Sequence, residues 1–172
     1  MAFTVQTADG TTEDANSYPT VEYFIAYHTD RNVEAVVNSE YTTEQIQSAL
    51  ISATDYVDNR YRYKGNKLIS TQTTEFPRED LYDFDGNEVT GLPARLLKAT
   101  CEYALRALVS ALAPDPKVDQ SGQQVTEKTS TVGPITTTVK YAQAATISVV
   151  KPYPAADMLL RQYITSGSRV IV

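Results

Sequence analysis

The chain of 172 residues has no tryptophan, one histidine, one cysteine and only seven glycines, none of them clustered. Each shortage removes a class of chemistry. No Ser-His-Asp arrangement can be assembled without His28, and His28 falls on the apolar face of a short helical pattern, where a packed imidazole is expected rather than a general base. Cys101 stands alone in an apolar helical run with Lys98 as its basic neighbour at helical spacing, so it reads as a buried structural thiol; no intrachain disulfide or cysteine metal site can form. Scattered glycines build no phosphate loop. Asp83, Asp85 and Glu88 around Gly86 lack the twelve-residue calcium pattern ending in a bidentate Glu, so a polar turn is expected there. No apolar run approaches the ~20 residues of a membrane helix. The start, Met1-Ala2-Phe3-Thr4-Val5, has neither a basic region nor a long apolar core, so no signal peptide is expected and the chain should be made in the cytoplasm. The inventory predicts a protein that is not an enzyme and holds no cofactor and no metal, with a small hydrolase as the remotest alternative.

Cationic charge is scarce in the first third. Residues 1–60 hold ten acidic side chains against Arg31 and Arg60, a balance of −8, so the remainder carries +2 of the net −6. Nucleic-acid binders normally concentrate Lys and Arg, and a face built from this third would repel a phosphate backbone. A solvated acidic surface is the plain expectation; carboxylates lining a channel through which DNA slides without sticking is the sharper one.

What is present points to one globular domain: 42% hydrophobic and 21% charged residues are ordinary values, and the length suits a single modest core. Twelve tyrosines are the departure. Tyrosine offers amphipathic area suited either to interfaces or to the rim of a core.

Periodicity predicts a mainly α fold. Thr20 caps a first helix whose face is Val21, Phe24, Ile25 and His28, ended by Asp30-Arg31-Asn32. Thr42 and Gln45 form a capping box for a second, with Ile46, Ala49, Leu50, Ala53 and Val57 inward and Glu44, Gln47, Asp55 and Asp58 toward water. Lys67–Ser70 can form a short strand. Residues 71–89 read as a long ordered loop pinned by Phe76, Leu81, Tyr82 and Phe84, with a turn at Asp85-Gly86. Pro93 opens an apolar helix carrying Leu97, Cys101, Ala104, Leu105, Leu108 and Leu112, stopped by Pro114 and Pro116, and Ala99, Ala104, Ala107 and Ala111 allow close helix approach. After a polar stretch, alternation around Gly133-Pro134 predicts a hairpin: Val125, Glu127, Thr129 and Thr131 lead in, and Ile135, Thr137, Val139 and Tyr141 lead out. An isolated two-stranded ribbon is marginal, so it needs a partner. A last helix begins at Pro154 and carries Met158, Leu159, Tyr163 and Ile164; beyond Gly167, Arg169-Val170-Ile171-Val172 folds back as an edge strand or adds a strand to a partner. The expected architecture is a small helical bundle in a single domain, with a helical core at about 17–113 and 154–164, a protruding β-hairpin at about 123–141 and an extended C-terminal tail at 165–172.

Four landmarks in order, Ala15-Asn16-Ser17-Tyr18, Glu75-Phe76-Pro77-Arg78, Gly91-Leu92-Pro93 and Val132-Gly133-Pro134-Ile135, resemble the phage head-tail connector, or adaptor, family of head-completion proteins. Some members of that family carry the label DnaT-like single-stranded DNA-binding protein. The resemblance spans residues 15 to about 164, with Phe76 where the pattern often has Trp. It implies a structural virion protein at the neck: a homo-oligomeric ring of twelve copies beneath the portal protein, extending the DNA channel, offering a surface to tail or neck proteins and letting double-stranded DNA pass without specific binding. In that setting the ribbon and tail would contact the portal or neighbouring copies, through Val125, Thr129, Ile135, Val139, Tyr141, Arg169, Val170, Ile171 and Val172, and Arg78 would make a structural or intersubunit ion pair.

The competing reading is a single-stranded DNA module in which Tyr61, Arg62, Tyr63, Lys64 and Lys67 stack against and neutralise the strand. Under the connector reading, deleting residues 166–172 weakens portal docking, measured by co-sedimentation, while circular dichroism shows the monomer still folded; unchanged docking would sink that assignment.

Overall fold

The structure, a computed structural model, describes residues 2–115, 125–131, 136–141 and 151–165. It is mainly helical, with five helices among the described residues: α1 (Val21–Thr29), α2 (Glu34–Val37), α3 (Thr43–Arg60), α4 (Ala94–Ala107) and α5 (Pro154–Leu160). Two antiparallel strand pairs accompany them, β1 (Asn66–Lys67) with β2 (Arg78–Glu79), and β3 (Val125–Thr131) with β4 (Thr136–Tyr141). The helices, β1 and β2 belong to one unit formed by residues up to Leu112 and from Pro152 onward, and β3 and β4 to a second unit between them.

The helix starts follow from their caps. Thr20 accepts the amide of Tyr23, and at α3 the box is complete, Thr42 accepting from Gln45 N while the Gln45 side chain accepts from Thr42 N. The α3 stripe Ile46, Ala49, Leu50, Ala53 and Val57 is buried as its spacing predicts. On α1 the buried face is Val21, Phe24, Tyr27 and His28, and Ile25 is exposed. The helix rotates because α2, a single turn the periodicity missed, packs against it and Tyr27 reaches α4 through Glu102. α4 also differs from expectation. Pro93 is its N-cap rather than its first residue, the helix ends at Ala107, and the buried side chains are Leu96, Ala99, Thr100, Cys101, Tyr103 and Ala104, while Leu97, Leu105 and Leu108 lie at the margin. Being packed by α1, α3 and α5, α4 buries a broad face rather than one stripe.

The segment before α1 is tied down by the Asn16 side chain, which accepts from Thr4 N and donates to Ala2 O, so that Val5 pairs with Ser17. The next residue, Tyr18, enters the core and meets Phe76 edge-on. Phe76 is fully enclosed, with the rings of Tyr18, Tyr63 and Tyr163 edge-on around it at 6.1, 4.8 and 6.2 Å. Of the four residues expected to pin the loop of residues 71–89, Phe76 and Leu81 are buried, while Tyr82 and Phe84 are exposed. The Phe76-Pro77 peptide is cis, and β2 follows it directly to pair Arg78 with Lys67.

In the second unit, β3 and β4 pair from Thr131 opposite Thr136 to Val125 opposite Tyr141, with an irregularity between Val125 and Glu127. Residues 132–135, where the sequence predicts the hairpin turn and which include Ile135, and residues 166–172, with Arg169, Val170, Ile171 and Val172, lie outside the described residues. So does the polar stretch from 116 to 124.

Gly65 occupies a position that tests how tightly the loop is clamped. Its φ is +69°, and a Cβ there would lie 2.2 Å from the carbonyl oxygen of Glu79. Gly86 shares the left-handed conformation, at +82°, but a Cβ would meet nothing within 4 Å. Gly65→Ala should therefore cost clearly more than the ~1 kcal/mol typical of backbone strain alone, and Gly86→Ala about that much, in paired urea denaturations; equal losses would show that the β1–β2 clamp is loose.

Candidate functional site: a groove beside α5

α5 is a seven-residue helix with no side-chain cap, anchored through Ala156, Leu160 and the carboxylate of Asp157. Asp157 Oδ1 accepts the hydroxyls of Tyr61, at 3.0 Å, and Tyr103; Oδ2 accepts Arg60 Nη2 at 3.0 Å and the Tyr153 amide at 3.1 Å. Arg60 stacks over Tyr56 and Tyr61, and Tyr56, Tyr103 and Tyr153 contact one another edge-on. Burial pushes the Tyr61 hydroxyl up to about 12 and raises that of Tyr103 further, so both remain protonated donors at any physiological pH.

Outside this cluster opens a groove of about 560 Å³ lined by Arg60, Tyr61, Lys64, Phe84, Asp157, Met158, Arg161, Ile164 and Thr165. Its floor is the closed end of the helical unit: Lys64 N donates to Tyr163 O, Thr165 N to Arg62 O, and Tyr63 pairs with Ile164. Phe84 and Met158 are the exposed apolar groups of its rim, at 67% and 65% exposure. Lys64 Nζ donates to Gln162 O at 2.9 Å and lies 5.6 Å from the centre of the Phe84 ring, a cation–π distance. Arg161, one residue past α5, is exposed. Three cationic side chains against the single carboxylate of Asp157 make the lining locally positive on an acidic chain.

The basic and aromatic segment 61–67 is divided by this arrangement. Tyr63 is buried against Phe76 and donates to Val57 O, and Tyr61 is half-buried on Asp157, so neither ring offers a free face to a base. Lys67 is ion-paired with Glu75 at 3.1 Å. Lys64 reaches the groove and Arg62 is exposed. The exposed aromatic there is Phe84, which sequence reasoning placed in the interior; its neighbours Asp83, Asp85 and Gly86 form a solvent-facing turn, and that polarity was the available signal. Asp83 organises the turn by accepting from the amides of Asp85 and Asn87.

Arg78 is buried, and its guanidinium donates to Lys64 O, Gly65 O, Glu75 O and the Glu75 carboxylate. It thus makes a structural ion pair within the chain. Of the ribbon residues, Val125, Thr129, Val139 and Tyr141 lie in the β3–β4 ladder, which belongs to the second unit. His28 is buried, with Nε2 donating to Cys101 O at 3.1 Å, and burial lowers its pKa so that it stays neutral. Burial pushes the Cys101 thiol up, which leaves it unreactive. Among the described residues no group of three or more His, Cys, Asp or Glu side chains is placed to hold a metal ion, and no helix is long and apolar enough to cross a membrane.

A second carboxylate, expected to face water, turns inward. Asp58 accepts Tyr18 Oη at 2.5 Å and the Glu75 amide at 3.0 Å, while Tyr18 Oη accepts the amide of Phe76. Burial outweighs these donors and pushes the Asp58 carboxyl up to about 7. Between about 4 and about 7 the folded chain therefore holds a proton that the unfolded chain has released, and stability falls as pH rises through that window. Wild type should unfold at lower urea at pH 8 than at pH 5, and Asp58→Asn should flatten this dependence; identical slopes would place the titration elsewhere.

No curated protein and no solved structure matches the chain. A family's sequence model does, from residue 1 to residue 172, and that span covers the capped helices, the Phe76 loop, the groove and the ribbon alike. The chain belongs to the family described as "Putative DnaT-like ssDNA binding protein".

Proposed function

We propose that the chain is a structural subunit of a homo-oligomeric ring at the head-tail interface of a virion, sitting beneath the portal, extending the DNA channel and offering an attachment surface to tail or neck proteins. The observation that supports this most is how the tyrosines are used. Tyr18, Tyr27, Tyr61, Tyr63, Tyr103, Tyr153 and Tyr163 are wholly or largely enclosed, most of them with hydroxyls bonded to acceptors inside the chain. A single-strand binder needs successive aromatic faces in the open beside a cationic track. Here the tyrosines stiffen a small helical body, which suits a building block. The β3–β4 ladder adds support: among the described residues each strand pairs with the other alone, leaving an outer edge on both. The acidic first third favours DNA sliding past over DNA binding.

The family description favours a second reading, single-stranded DNA binding, and the groove is where it would act. There Phe84 is exposed, with Lys64 beside it and Arg161 on the same lining. One aromatic is a small platform, so this reading ranks second.

Native mass measurement and negative-stain imaging, alone and with portal protein, combined with gel shifts of a single-stranded oligonucleotide across a salt series, separate the two. The ring reading expects discrete multimers or a portal-bound ring, and oligonucleotide retention that is weak at every salt. A monomer that retains the oligonucleotide tightly at low salt and loses it steeply as salt rises would overturn the ring in favour of the strand binder.

A further inference from the structure

The two shortest helices of the helical unit carry the same surface pattern with opposite charge. On α5 and the residue after it, Met158 and Arg161 are three apart and both exposed. On α2, Glu34 and Val37 are three apart and both exposed. Residues three apart share a helix face, so each helix presents one apolar and one charged group side by side. The order along the chain is apolar then cationic on α5, and acidic then apolar on α2. Laid antiparallel, Met158 meets Val37 and Arg161 meets Glu34; laid parallel, each charge meets an apolar group.

The surroundings extend the match. Beside α5 lie the exposed Phe84 ring and Lys64. The turns flanking α2 expose Asp30, Arg31 and Glu40, and α1, on which α2 packs, exposes Glu22 and Ile25, so acidic groups outnumber basic ones there. Within one chain the two faces cannot meet: α2 packs on α1, α5 packs on α4, and α2 and α5 share no packing contact. Two different, mutually complementary patches on one molecule generate a head-to-tail contact, the kind that closes into a ring when the rotation between copies permits.

We infer that the groove beside α5 docks the α2 corner of a second copy of this chain, with α5 and α2 antiparallel, Met158 on Val37 and Arg161 paired with Glu34. The inference rests on the ring reading and specifies one of its subunit contacts. Charge complementarity selects this occupant. A copy of net charge −6 is repelled from most of its twin's surface, and the locally cationic lining of the groove is where the acidic corner gains contact. The contact uses exposed side chains and leaves the Asp157 cluster beneath it intact.

The test is a charge swap read by sedimentation velocity and native mass across a concentration series. Arg161→Glu and Glu34→Lys should each raise the concentration needed for assembly at least about tenfold, while the double variant, which exchanges the two charges, should recover most of the loss. Circular dichroism of each variant confirms folding, which both exposed positions favour. Met158→Ser, which removes the apolar half of the contact without altering charge, should weaken assembly independently of salt. If wild type assembles and neither charge reversal changes it, or if the double variant is no better than the singles, the α5–α2 contact is overturned and the ring reading stands. If wild type stays monomeric alone and with portal protein, the ring reading falls and this contact with it. Loss of oligonucleotide retention in Arg161→Glu, with assembly unchanged, would overturn the contact and give the groove to a nucleic-acid strand.

Discussion

The polar side of the closure of the helical unit is gathered on one carboxylate, that of Asp157. α5 has seven residues and no side-chain cap, too little to persist by helical propensity, and it must be held against helices far earlier in the chain. Asp157 does this by drawing donors from three places: Arg60 at the end of α3, Tyr61 just beyond it, and Tyr103 on α4. Desolvating an ion pair usually costs as much as its attraction returns, and compensation requires that the remaining lone pairs be filled. Here each oxygen accepts two hydrogen bonds, and the Arg60 side chain is only 9% exposed. The helix termini add to the arrangement, since Asp157 lies in the first turn of α5 and Arg60 in the last turn of α3, the ends at which negative and positive charge are each favoured. The groove exists because this junction draws α5 down beside the Lys64 backbone.

The same device recurs. Tyr18 donates to Asp58, Tyr27 to Glu102, and Tyr61 and Tyr103 to Asp157, four phenols bonded to three carboxylates, each pair joining different segments. This explains a core rich in tyrosine and without tryptophan: an indole donates one bond from a wide ring, whereas a phenol passes through a thin apolar layer and reaches an acid at its margin. It also explains part of the acidic excess. Some of those carboxylates are acceptors that hold the unit together rather than a repelling surface. Asp58 marks the limit, because its two donors do not fully offset its loss of water.

Local signals in the sequence reported what local physics decides. Thr20, Thr42 with Gln45, and the α3 stripe were legible because caps and a single packed face depend on neighbours within one or two turns. α4 was legible as a helix but not in its phase, since a helix touched on several sides buries more than one stripe, and Leu96 and Tyr103 turned out deeper than Leu97 and Leu105. Phe76 could be read as a pin. Phe84 could not be told from it by hydrophobicity, and only the polar turn around it hinted that it faces solvent. Asp58 sits on the polar side of the helical pattern, and nothing local announces that Tyr18, forty residues earlier, turns it inward. The groove was the least legible feature, assembled from the 60–64 segment, the turn at 84 and the end of α5, whose proximity is a property of the closed unit.

Electrostatics then narrow what such a body can do with its surface. Arg78 is committed to carbonyls and Glu75, Arg106 to Glu102, and Arg31 to the Tyr27 ring and carbonyl. These arginines stabilise turns and helix ends and do not form a track along which a phosphate backbone could run. Among the described residues, the groove is where cationic side chains gather around an exposed apolar rim. Attraction between copies must be local, because acidic bodies repel at range and gain contact only within about 8 Å, the screening length at physiological salt. If copies assemble as proposed, they would therefore meet through small matched patches while the remaining surface stays acidic. In the ring proposed above, a surface left acidic would let DNA pass without adhering.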